Sequence, residues 1–228
     1  MSIRMKVVIR IGGSIIASPP NPKLICEYAD LLRGLRAQGH EIVVVVGGGS
    51  IARDFISLAR EVGLNEQEQD EIAISISRVF AQLLAIKLVG LESKHISTSL
   101  RDAAGLLETR GIVIMGGLRP GMTTDAVAAL IASKVNADLI VKATDQEGIY
   151  TKDPKRYPDA EKIHEIGFGD LFNLLEEERH KAGIHQILDP EAVRILQKKQ
   201  IKTIIINGFN PKNITRAING EKIGTIIQ

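Results

Sequence analysis

A chain of 228 residues, 44% of them apolar, can bury a full core, and 29 basic against 27 acidic residues (net +2) leave no electrostatic footprint for nucleic acid or membrane as main partner. One cysteine, Cys26, excludes an internal disulfide and a cysteine metal site. No apolar run approaches the roughly 18 residues of a membrane span, and MSIRMK leads into a strand rather than a signal peptide, so one continuous cytoplasmic domain is expected.

In chain order, Met5 to Ile11 reads as a strand that ends in Gly12, Gly13 and Ser14. The loop Ser18 to Pro22 cannot be regular structure, but Asn21 as N-cap and Pro22 at the first helical position open a helix to about Gln38, stopped by Gly39. Next comes EIVVVVGGGSIARD, Glu41 to Asp54. Val43 to Val46 suit a strand buried on both faces of a parallel sheet. Gly47, Gly48 and Gly49 remove every Cβ where the chain leaves that strand, so a ligand can approach main-chain N–H groups. Ser50 is the expected N-cap of a helix closed by Gly63. The helix start offers free amides and the positive end of a dipole to a phosphate or carboxylate. Arg53, placed in the first turn, works against that dipole unless an anion sits beside it. The pattern is neither GxGxxG nor GxxxxGK[ST], so neither nucleotide fingerprint applies.

A longer helix is expected from Glu66 to Leu88, acidic at its start and apolar at Ile72, Ile76, Val79, Phe80, Leu83 and Leu84. A short strand around Lys94 to Ile96 and a small helix opened by Ser99 with Asp102 follow. The strand Ile112 to Met115 runs into Gly116 and Gly117, then LRPGMTTD, Leu118 to Asp125, and an alanine-rich helix from Asp125 to about Val135. Leu139 to Lys142 is a further strand leading to ATDQEGIYTKDP. Asp170 caps a helix to about Ala182, Asp189 with Pro190 opens another, and Ile201 to Ile206 is an apolar strand. Asn210 with Pro211 opens the last helix, and Ile223 to Ile227 is read as an edge strand. His40, His95, His164, His180 and His185 lack close metal-binding spacing.

Strands alternating with helices predict a mainly parallel sheet covered on both faces. Loops at the carboxyl ends of its strands gather along one edge, where ligands bind near the switch in strand order. The turns after Ile11, Val46 and Met115 would then form one groove rich in free amides, shaped for several phosphates in a row. Phosphoryl transfer between two bound molecules is a natural use for it.

IRIGGS, VVVVGGGSIAR, the acidic helix start at Asp70, MGGxxPGxTTDAVAALIA, KATDQEGIYTKDP and the closing KTIIING and GT together resemble the amino acid kinase superfamily. Within it, the chain is similar over nearly its whole length to the uridylate kinases of archaea and bacteria. The resemblance implies a three-layer α/β/α sandwich with a mainly parallel central sheet, residues 1–228 forming a single domain with an acceptor side of about 1–135 and an ATP side of about 136–228. It implies ATP and Mg²⁺ as co-substrates, UMP as acceptor in pyrimidine nucleotide biosynthesis, and a homohexamer. By position, the ATP phosphates would lie against Arg10, Ile11, Gly12, Gly13, Ser14 and Gly49, with Arg53 between donor and acceptor phosphates. UMP would rest on Gly48, its ribose on Asp70, its base and phosphate along Leu118, Arg119, Pro120, Gly121, Met122, Thr123 and Thr124. Thr144, Asp145, Tyr150 and Asp153 would hold adenosine, and Asp125 would orient the cationic groups, making Arg10, Arg53 and Asp125 the catalytic set. Magnesium could be held largely by nucleotide phosphates and water, and no protein metal ligand is assigned.

Two positions depart from the family pattern. Arg10 stands where many members have Lys, and the acceptor loop reads Leu118, Arg119 and Met122 where Thr and His are familiar. A leucine side chain cannot hydrogen-bond a uracil edge, so recognition would use main-chain groups or another residue. Two other readings stand beside UMP phosphorylation. One is a kinase of the same fold acting on a carboxylate or an isoprenoid phosphate; the other is a non-catalytic nucleotide-binding or storage protein.

Overall fold

The computed structural model describes residues 4–89, 96–154, 156–179 and 188–228. The apolar runs become parallel strands: β1 (Lys6–Ile11), β2 (Glu41–Val46), β3 (Ile112–Met115), β4 (Leu139–Thr144) and β8 (Thr203–Asn207). With β7 (Glu165–Ile166) and β9 (Thr225–Ile227) they form a seven-stranded sheet ordered β3-β2-β1-β4-β8-β9-β7. β5 (Ile149–Tyr150) and β6 (Lys162–Ile163) make a separate two-stranded ribbon. Because β2 and β3 are laid to one side of β1 and β4 and β8 to the other, the strand order reverses at β1. That reversal opens the crevice in which α/β sheets bind ligands.

Alternation along each strand sorts side chains into two cores. Ile9, Val44, Val141 and Ile206 face one layer, with α2 (Pro22–Ala37), α4 (Glu66–Val89) and α9 (Lys212–Ile218). Val8, Val43, Val45, Val113 and Ile140 face the other, with α5 (Leu100–Arg110), α6 (Thr124–Val135), α7 (Phe168–Arg179) and α8 (Pro190–Lys199). The expected three-layer α/β/α sandwich is therefore present. Helix starts follow sidechain chemistry: Asn21 accepts from the Leu24 amide at 3.1 Å and Ser99 from Asp102 at 3.1 Å. Asn65 and Glu68 cap α4 reciprocally, Glu68 N–H to Asn65 Oδ1 at 3.1 Å and Asn65 N–H to Glu68 Oε2 at 2.8 Å. No described helix is long and apolar enough to cross a membrane.

Several local expectations are corrected. Ser50 does not cap α3 (Gly49–Glu61): the cap position is Gly48, with no sidechain hydrogen bond. Ser50 lies inside the first turn, and its N–H donates to Ser18 Oγ. Arg53 is accordingly the fifth helical residue, beyond the first turn. The turn after β1 coils into a short helix, α1 (Gly13–Ile16). Val79 and Leu83 on α4 are about half exposed, at 50% and 47%, rather than core. α6 starts at Thr124 with Thr123 as cap, and α7 starts before Asp170, at Phe168. β9 is not an edge strand, since it lies between β8, to which it is antiparallel, and β7. Lys94, His95, His180, His185 and the expected end of α7 near Ala182 lie outside the described residues; Ser97 bridges to Met115.

Candidate active site

Two cavities open at the carboxyl edge of the sheet. The first, of about 290 Å³, is lined by Arg10, Gly13, Ser14, Gly47, Gly48, Gly49, Arg53, Thr124, Asp125, Lys142, Thr144, Asp145 and Gln146. The second, of about 380 Å³, is lined by Gly48, Ala52, Arg53, Ile56, Asp70, Ala73, Ile74, Ser77, Gly117, Arg119, Met122, Thr123 and Thr124. Both volumes fall in or close to the range of small-molecule sites. They share Gly48, Arg53 and Thr124, so two molecules bound side by side would meet there.

The wall of the first cavity comes from two glycine turns pressed together. A Cβ on Gly13 would lie 2.0 Å from the Gly49 nitrogen, and one on Gly49, whose φ is +64°, would lie 2.4 Å from the Gly13 carbonyl oxygen. Only two glycines allow main chain to touch main chain here. Not every amide stays available: the Gly12 N–H donates to the Ala143 carbonyl at 2.8 Å and the Gly47 N–H to that of Ile11 at 3.1 Å.

At the base of this cavity, Arg10 on β1 and Lys142 on β4 are register partners, so they project from neighbouring strands on the same face. Two adjacent cations, both largely buried, need an anion, and Asp125 in the first turn of α6 supplies it. Lys142 Nζ lies 2.5 Å from Asp125 Oδ2. Arg10 Nε is 2.8 Å from Asp125 Oδ1, close enough for an ion pair but without hydrogen-bond alignment, and Arg10 Nη2 donates to Thr124 Oγ1 at 2.9 Å. Burial pushes the Asp125 carboxyl up, but Arg10 and Lys142 together outweigh it and hold the group below the ordinary carboxylate value. Burial lowers the Lys142 ammonium below the ordinary lysine value; Asp125 opposes that shift and Arg10 adds to it. Arg53, exposed on the shared border, forms no ion pair among the described residues.

The second cavity is built by α3, α4 and the loop between β3 and α6. Asp70 lines it and accepts from the Gly121 N–H at 2.7 Å. Ser77 Oγ accepts from the Gly117 N–H at 2.8 Å, and Arg78 donates from Nε to the Gly117 carbonyl at 3.0 Å and from Nη2 to that of Leu118 at 3.1 Å. At its far end the loop is held by Thr123, whose hydroxyl donates to Asp189, the cap of α8, and accepts from the Ala126 N–H at 3.1 Å. The third glycine pair thus differs from the first two. A Cβ on Gly116 would meet the Arg78 nitrogen at 2.8 Å, so this glycine admits α4, and its neighbour's amide is occupied by Ser77.

Of the residues singled out in the sequence, Arg10, Gly13, Ser14, Gly48, Gly49, Arg53, Asp70, Arg119, Met122, Thr123, Thr124, Asp125, Thr144 and Asp145 line one or both cavities. Ile11, Gly12, Leu118, Pro120, Gly121, Tyr150 and Asp153 do not. Ile11 is fully buried in the core and Leu118 packs on the second core; Tyr150 sits on the β5–β6 ribbon. The sequence reading set Lys142 at a strand end next to the proposed adenine site and gave it no role, although a lysine inside the apolar strand LIVKAT was the available signal. It also missed Ser77 and Gln146, whose Oε1 is buried without a hydrogen-bond partner at the first cavity.

Glycine turns, a buried cation pair and an exposed arginine between two adjoining cavities define an enzyme that handles anionic groups between two molecules. A sequence model of the Amino acid kinase family matches residues 5–207, and the chain belongs to that family. Its relatives point to one branch of it, the uridylate kinases. The uridylate kinase of Methanothrix thermoacetophila is 41% identical, over 98% of this chain and 100% of that one. That of Methanothermobacter thermautotrophicus is 40% identical, over 98% and 99% respectively. The crystal structure of uridylate kinase from Archaeoglobus fulgidus superposes with a TM-score of 0.89 at 36% identity, covering 98% of this chain and 100% of that chain.

Proposed function

We propose that the protein transfers the γ-phosphoryl group of ATP to UMP, giving ADP and UDP. A phosphate oxygen of UMP forms the new bond to the γ phosphorus, and the bond from that phosphorus to the β–γ bridging oxygen breaks. The observation that carries this reading is the pair of cavities that meet at Gly48, Arg53 and Thr124, one walled by phosphate-type turns and the other held by Asp70 and a loop. The names of the full-length relatives supply the acceptor.

In this reading ATP occupies the first cavity, its phosphates along Gly13, Ser14 and Gly49 and its nucleoside toward Thr144, Asp145, Tyr150 and Asp153. UMP occupies the second, between Gly48, Asp70 and residues 118–124; the residues that line this acceptor cavity all precede about 135, and those from about 136 serve the ATP cavity. Arg53 stands where the two phosphate chains meet. Asp125 binds no nucleotide; it holds Arg10 and Lys142 at the transferring group, where fixed charge is worth most because it need not reorganise. Because Asp125 is committed to those two cations, the donor set fits a divalent ion, Mg²⁺, carried in on the nucleotide phosphates. A homo-oligomer, a hexamer by family resemblance, is supported by Phe55 and Leu58 on α3, Val62 at its C-cap, and Val79 and Leu83 on α4. All five are large, apolar and 44–67% exposed.

The test is ADP release by the purified protein with MgATP against UMP, CMP, dUMP, AMP, GMP, acetylglutamate, aspartate and isopentenyl phosphate. Turnover dominated by UMP is expected. Dominance of another acceptor would move the substrate to that compound, and ATP binding without ADP release on any acceptor would point to a non-catalytic protein.

A further inference from the structure

The loop that borders the acceptor cavity lacks a side chain able to read a base at Leu118, which packs on the second core instead. What the loop offers there is main chain, and the orientation of that main chain is set from α4. Arg78 bridges two consecutive carbonyls, those of Gly117 and Leu118, at 3.0 and 3.1 Å. One turn of α4 earlier, Ile74 lines the cavity, as does Ser77 next to Arg78, but Arg78 does not. Its guanidinium therefore draws both carbonyls to the side of the loop away from the cavity.

We infer that Arg78 is a positioning residue that sets acceptor specificity by turning the loop's carbonyls outward, so that the N–H of Arg119, opposite the Leu118 carbonyl in the same peptide unit, faces the bound base. The inference rests on the UMP reading above and deepens it. A pyrimidine with a carbonyl oxygen at position 4 accepts from such an N–H; one with an amino group there places donor against donor and leaves both unsatisfied, the arrangement sites reject most strongly. Bridging two carbonyls needs the planar fork of an arginine. A lysine keeps the charge as a single point and can serve only one of them in good geometry.

The experiment compares wild type, Arg78→Lys and Arg78→Met as full-length proteins, by steady-state kinetics with UMP and with CMP, binding of a non-hydrolysable ATP analogue, and thermal unfolding. Wild type should prefer UMP; turnover of neither pyrimidine would overturn the UMP reading and this inference together, before any variant is made. For Arg78→Lys we expect the KM for UMP to rise about tenfold or more and the UMP-to-CMP ratio of kcat/KM to narrow about fivefold or more, as loss of an orienting hydrogen-bond pair predicts. ATP-analogue affinity should stay within about twofold, since no atom of Arg78 reaches that cavity. If Arg78→Met does not fold, Arg78→Lys decides alone. A folded Arg78→Lys enzyme whose KM for UMP and UMP-to-CMP ratio both stay within twofold of wild type would overturn the proposal, leaving Arg78 a merely structural clamp.

Discussion

The two cavities share a border but are held in shape by different physics. The one against β1 and β4 rests on buried charge: Arg10 and Lys142, register partners on adjacent strands, are tied by one carboxylate, and its walls are main chain pressed on main chain. The one under α3 and α4 rests on hydrogen bonds from helix side chains to a loop, through Asp70, Ser77 and Arg78. Buried charge is rigid and costly to break, whereas a loop pinned at several points can lose one pin and still close. The glycine pairs reflect the same division. Gly13 and Gly49 admit each other's backbone, but Gly116 admits a helix.

The comparison is broken most severely at Asp125. Asp125→Ala leaves two buried cations side by side, and we expect a loss of about 3–5 kcal/mol in unfolding free energy, read by denaturant titration, with kcat falling as well. Arg53→Ala attacks the shared border instead. Being exposed, Arg53 contributes little to the fold, so kcat should fall by about two orders of magnitude or more while the unfolding midpoint hardly moves. Near-normal turnover would remove Arg53 from the chemistry.

Glycine substitutions sharpen the contrast between a crowded turn and an open one. Gly49→Ala combines a positive φ with contact on Gly13 and should cost about 3 kcal/mol or more, with loss of ATP binding by calorimetry. Gly63→Ala, φ +86° with open space around it, carries only the backbone cost of about 1–2 kcal/mol.

The smallest effect is a displaced pH limb. Because Lys142 is held below the ordinary lysine value, chiefly by burial, kcat should begin to fall at a lower alkaline pH than a normal lysine would give. Stability responds with the opposite sign. A lysine with a depressed folded pKa costs stability while charged, and that cost is relieved as pH rises through the folded value toward the ordinary one. Lys142→Arg, which stays charged, should move the alkaline limb of kcat to higher pH. On the acid side, Asp125 stabilises the fold above the ordinary carboxylate value, and its contribution is lost as pH falls through its lowered folded one.

Much of this was legible in the chain because it depends on local chemistry. Runs such as Val43 to Val46 suit strands buried on both faces, and Asn21-Pro22 and Asp189-Pro190 start helices as their cap-and-proline chemistry favours. Glycine-rich exits from β1 and β2 announced the phosphate-type turns, and Thr124-Asp125 stood out at a helix start. The sequence by itself therefore determined the layers, and its resemblance to a known family named most of the residues that line the two cavities. Only the tertiary structure decided which residues act together. Lys142 joins Arg10 and Asp125 because parallel register sets β4 beside β1, a relation between positions 132 residues apart that no local pattern encodes. Ser50 lost its capping role because Gly49 can begin the helix two residues earlier, at φ +64°, against Gly13. Gly116, spelled like the glycines of the first two turns, admits α4 instead, and Gly117 borders the second cavity with its amide already held by Ser77, because whether a glycine's free space is filled by a ligand or by a helix depends on what packs against it.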